Sequence, residues 1–145
     1  MTLHLIKLCV GAESVEDLAE WHDQGHADWK GPKGKRAVAH LTFQTPKRVE
    51  ELTESGSLYW VIKGRVLVRQ RILAIESANA EGGKKRCAIV MDPALILTRP
   101  FPHRAFQGWR YLDPSGAPAD IGSYGRGDGE GSARIKAELL ELGLL

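Results

Sequence analysis

The sequence predicts an α+β fold: a single domain with a twisted, mainly antiparallel sheet or half-open β-barrel, flanked by helices. Three observations lead there. Strand signals follow one another from Ala37 to Thr98, mostly joined by tight turns. Helical patterns occur early in the chain and at its very end rather than alternating with strands, which argues against a doubly wound parallel sheet. The chain has 145 residues, 43% of them hydrophobic, enough for one core.

Each element has its own signal. Residues 3–10 are apolar on both faces, which suits a buried strand, and Gly11 ends it. Ser14 with Asp17 three residues on resembles a capping box, and Val15, Leu18, Ala19 and Trp21 continue as a helix that stops near Gly25. Residues 30–36, "KGPKGKR", read as a basic loop, and 37–43 as a second strand. Thr45 as cap and Pro46 at the first helical position start a short helix through Leu52. Residues 58–76 read as a hairpin turning at Lys63-Gly64. A turn at "AEGGKK", a strand over 86–91 and a short strand over 95–98 follow. Residues 100–118 read as irregular and aromatic. The single domain is expected over 1–120, a Gly-rich linker over 121–131 and a C-terminal helix over 132–145.

The net charge of +2 hides a segregation. Residues 1–29 carry −5, residues 30–110 carry +10 and residues 111–145 carry −3. A basic middle can attract a polyanion, or the acidic end segments can lie over it and neutralise it. Cys9 and Cys87 form no CxxC pair and no secreted disulfide framework, so two buried free thiols in a cytoplasmic protein are expected. Neither a signal-peptide pattern nor a membrane-length apolar run is visible.

The hairpin poses the functional question. With a two-residue turn and unbroken pairing, Trp60 shares a face with Leu58, Ile62, Arg65, Leu67, Arg69 and Arg71, and Tyr59 shares the other with Val61, Val66, Val68, Gln70 and Ile72. Arginine pairs bidentately with phosphate, and tryptophan offers a face on which a base stacks. A second concentration, residues 99–114, places Trp109 and Arg110 among Phe101, His103, Arg104, Phe106 and Tyr111. The expected nucleic-acid surface, for RNA above all, is therefore Trp60, Lys63, Arg65, Arg69, Arg71, Trp109 and Arg110. The competing readings are arginine stems that merely cover a half-buried sheet, and a small-molecule or small-enzyme pocket near the Phe101–Tyr111 loop.

Catalytic and metal signals are weak. His22 and His26 have i, i+4 spacing, but no HExxH pattern surrounds them and Gly25 intervenes, so no metal is expected. His4 and His40 fall in strands, and His103 is the best lone acid–base candidate. "YGRGDGEG" lacks the Lys-Ser/Thr of a phosphate-binding loop. No serine or cysteine has a nucleophile's context. The sequence identifies no catalytic residues, no cofactor and no oligomeric state.

The stretches "MTLHLIKLCVGAESVEDL", "SLYWVIKGRVLVRQRIL" and "AFQGWRYLDP" resemble the bacterial family called domain of unknown function 1489. The likeness runs to about Asp120 and returns in "AELLELGLL". It implies one compact bacterial domain and no particular reaction. The order strand, helix, strand, helix, then a meander holding the "YWVIKG" hairpin is similar to PUA-like domains, small barrels of which many bind RNA or modified bases. That similarity is one of fold and carries no matched motif.

Overall fold

Ser14 starts the first helix as its sequence requires: its Oγ accepts from the Asp17 N–H at 3.1 Å, and the Asp17 carboxylate accepts from the Glu13 N–H at 2.9 Å. The helix ends at Gln24, after which Gly25 takes φ +83°, a conformation open to glycine. The computed structural model describes residues 2–79 and 81–124. In chain order its elements are β1 (His4–Leu8), α1 (Val15–Asp23), β2 (Asp28–Lys30), β3 (Arg36–Thr42), α2 (Val49–Ser55), β4 (Ser57–Ile62), β5 (Arg65–Asn79), β6 (Lys85–Met91), β7 (Ile96–Pro102), β8 (Trp109–Leu112) and β9 (Asp120–Ser123).

The strands form one mixed, open sheet in the order β2-β3-β6-β5-β4-β1-β8, with β7 on β5 and β9 on β7. It is α+β as expected, and it does not close into a barrel. Among the described residues every pairing is antiparallel except β1 with β4. The long excursion through α1, β2, β3 and α2 is what allows that parallel pair. β5 spans the sheet: its first half pairs with β4 and β7, its second with β6.

The hairpin turns at Lys63-Gly64, both left-handed at φ +51° and +77°. Val61 then faces Val66, but Trp60 faces Val68. Leu67 is an extra residue, a β-bulge, and beyond it the two faces of β5 exchange. A second slip follows at Leu73, between the pairs Ile72–Met91 and Ala74–Val90.

The main core lies on the helix side, where Leu5, Leu18, Leu52, Trp60, Leu67, Ile72, Ile89 and Met91 pack. On the far side Ile6, Tyr59, Val61 and Val66 are covered by Phe106, Leu112 and Ala117. That cover corrects the reading of 100–118 as irregular: β7 runs to Pro102, and β8 pairs with β1. The basic stretch 30–36 also contributes the end of β2 and a turn of 3₁₀ helix. α2 begins at Val49, later than Pro46 suggested, and the Tyr111 hydroxyl accepts from the Lys47 and Arg48 N–H groups just before it.

β9 occupies the start of the expected linker, and most of 121–131 and the expected helix over 132–145 lie outside the described residues. Cys9 and Cys87 are buried and free. No helix among the described residues is long and apolar enough to cross a membrane.

Candidate functional site

The bulge at Leu67 separates the residues expected to act together. Trp60 turns towards the helices and is 1% exposed. Its indole N–H donates to the Gln70 side chain at 2.9 Å, and the Gln70 amide donates to the Asp92 carbonyl. Arg69 and Arg71 point to the opposite face. Arg69 forks onto the Asp120 carboxylate at 2.8 and 2.7 Å and donates to Ser57 Oγ. Asp120 in turn is held below the usual carboxylate range by that guanidinium. Arg71 donates to four carbonyls, those of Thr53, Glu54, Gly56 and Ile72, and so closes the end of α2. The shared Trp–Arg face expected from an unbroken hairpin is therefore corrected: Trp60 lies opposite Arg69 and Arg71.

The other expected residues remain near the surface. Lys63, Arg65 and Arg110 are exposed. Arg110 lies over the Phe106 ring at 4.7 Å. Trp109 is half-buried and donates its indole N–H to the Gln44 carbonyl. The 101–111 rings do not gather around a cavity: Phe106 packs on the far-side core and Trp109 against the helix-side core, while Phe101 is exposed.

A cavity of about 630 Å³ opens instead between α1 and the ends of β1, β3 and β4. Four rings line it or border it in series. Trp21 stacks on His26 with centroids 5.9 Å apart, Trp21 tilts over His40 at 4.9 Å, and His40 meets Trp60 edge-on at 4.5 Å. Its rim is apolar and exposed: Val10, Trp21 and Leu41 line it, and these are three of the large hydrophobic side chains left open to solvent. Clustered exposed apolar groups around a concave site are the usual mark of a ligand surface. A second depression, beside Glu16, Glu20, Asp23 and Asp92, is acidic and suits an anion poorly.

Three polar groups act on the aromatic cavity. Lys7 lines it half-buried, with no hydrogen-bond or ion-pair partner among the described residues, and burial lowers its pKa. Asp17 lines it from the first turn of α1, with one carboxylate oxygen taken by Glu13. His40 contacts His22, Nε2 to Nε2, at 3.1 Å. The buried His22 Nδ1 has no partner among the described residues. An orphaned acceptor costs less than an orphaned donor, so we assign the shared proton to His22 Nε2 and leave Nδ1 as the bare acceptor. Burial pushes His22 down to about 4, and burial together with His22 pushes His40 well below the ordinary imidazole range. Both rings are neutral at pH 7. His22 and His26 part company, His22 turning inward and His26 bonding Gln24 at the surface. Cys9 also lines the cavity, and burial first of all raises its thiol to about 12, so it is no nucleophile at neutral pH.

Sequence reasoning missed Lys7, Asp17, Trp21 and His40 as a group. Each reads locally as strand or helix filler, and only the packing of α1 on β3 joins them. The model of the family described as Protein of unknown function (DUF1489) matches residues 5–145. No curated protein matches the chain, and no solved structure does.

Proposed function

The chain belongs to the DUF1489 family, and we propose that its domain is a binding module that takes one unpaired base of a nucleic acid into the Trp21–His40–Trp60 cavity. The observation that carries the reading is the cavity itself: a series of rings, an exposed apolar rim and a volume suited to a heteroaromatic group. Trp21 is the tryptophan left open to solvent, and stacking on it is worth ~1 to 3 kcal/mol per base.

The strand ends supply places for phosphate. β1 and β4 end together, with Leu8 beside Val61 and the Cys9 N–H on the Val61 carbonyl. Val10 at the cavity rim and the Lys63-Gly64 turn therefore leave the sheet at the same end. Arg65 follows, and the His103 N–H on the Gly64 carbonyl brings Arg104 nearby. Lys63, Arg65 and Arg104 are exposed and make no ion pair among the described residues. RNA is the natural partner class, because its loops, bulges and ends present unstacked bases.

The test is anisotropy of labelled single-stranded RNA decamers at low and rising salt. Binding that weakens with salt and falls about tenfold in Trp21→Ala supports the reading. Absence of binding tighter than ~100 μM at low salt overturns it. Salt-insensitive binding of free nucleosides with no gain from a strand redirects the reading to a small-molecule pocket.

A further inference from the structure

Lys7 and Asp17 both line the cavity, yet they are not an ion pair. Cys9 lines the same cavity with them. An ammonium without a partner and a carboxylate with a spare oxygen thus face one cavity, one a pure donor and the other a pure acceptor. Lys7 is half-buried and Asp17 is exposed, so the cost of an unmatched ligand falls mainly at Lys7, while Asp17 adds the acceptor.

We propose that the cavity selects a 6-oxopurine, guanine in the first place, by presenting Lys7 to the ring's carbonyl and N7 and Asp17 to its ring N–H and exocyclic amino group. The inference rests on the base-binding reading above. Guanine carries acceptors on one side of its edge and donors on the next, which matches an ammonium and a carboxylate held apart. Adenine reverses both: its amino group would meet the ammonium, and its unprotonated N1 would meet the carboxylate. Cytosine likewise offers an amino donor and a bare ring nitrogen. Hypoxanthine keeps the carbonyl and the ring N–H but lacks the amino group, so it should rank between guanine and adenine.

The experiment uses cytidine decamers with a single central guanosine, inosine or adenosine, titrated into the full chain by anisotropy. The expected order is guanosine, inosine, adenosine, with guanosine favoured over adenosine by roughly 10- to 100-fold. Asp17→Asn should reduce that ratio towards one. Lys7→Met should do the same while the circular dichroism spectrum stays that of the parent. Equal binding of guanosine and adenosine decamers by the parent protein overturns the selectivity and leaves base binding standing. An unchanged ratio in Asp17→Asn also overturns it. If none of the decamers binds, both the selectivity and the base-binding reading fall.

Discussion

The two sides of the β4–β5 hairpin treat their polar groups in opposite ways. On the far side, Arg69 is occupied by Asp120 and Ser57, and Arg71 by four carbonyls. On the helix side, Lys7 has no partner among the described residues, Asp17 has an oxygen to spare, and the buried His22 Nδ1 is unbonded. Arginine beside aromatic residues suggests binding from sequence alone, yet Arg69 and Arg71 are fasteners. The less conspicuous lysine and aspartate are the groups with capacity left over. Counting filled and unfilled hydrogen-bonding sites separates the two roles better than residue type does.

That contrast is sharpest at Arg71. Arg71→Ala removes the donor for all four carbonyls and should destabilise the domain by roughly 3 kcal/mol in urea unfolding. Nucleic-acid affinity per folded molecule should be unchanged. A variant with parental stability and weakened binding would reverse the assignment of sides.

Gln70 tests the boundary between the faces. Gln70→Leu strands the buried Trp60 indole N–H and releases the Asp92 carbonyl, a cost of about 2 kcal/mol. Because Trp60 also lines the cavity, this variant should weaken base binding as well. Chemical denaturation alongside anisotropy reads both effects.

The histidine pair gives the helix side a pH signature. His22 and His40 have folded pKa values below the ordinary 6.5, so the unfolded chain takes up their protons first. Their contribution to stability is complete above about pH 6.5 and is lost as the pH falls towards about 4, the His22 value. A loss of about 1 kcal/mol per pH unit across that window is expected for one proton. Urea melts at pH 7.0 and 5.5 should show it, and His22→Leu should flatten the slope. The smallest effect is expected at the far-side ion pair of Arg69 with Asp120. The Asp120 carboxylate is half open to water, so Asp120→Asn should cost ~0.5 kcal/mol. The depressed Asp120 pKa places that loss below the ordinary carboxylate range.

Much of the fold is legible in the sequence because its signals are local. Ser14 and Asp17 mark α1, Lys63-Gly64 marks the hairpin turn, and the apolar run of 86–91 marks β6. β8 is not legible: "WRYL" has four residues and no alternation, and it becomes a strand only because β1 offers an edge. The candidate site is hidden for a related reason. Trp21 and His40 meet because α1 packs on β3, a long-range contact with no sequence spacing to announce it. The face of Arg69 and Arg71 depends on one extra residue, Leu67, which periodicity counts as part of a regular strand.

The two slips in β5 act on side-chain direction as a pair of compensating frameshifts acts on codons. Leu67 shifts the phase by one residue, and Leu73 shifts it again and restores it. Leu67 and Ile75 thus belong to the same helix-side core in the original frame, while Val68, Gln70 and Ile72 reach that side in the shifted one. Only the short window between the slips is read out of phase, and both fastening arginines fall within it. Deleting Leu67 would make Val61–Val66 and Trp60–Val68 consecutive pairs of an unbroken ladder, so Arg69 would stay beside Tyr59 and Arg71 beside Ser57.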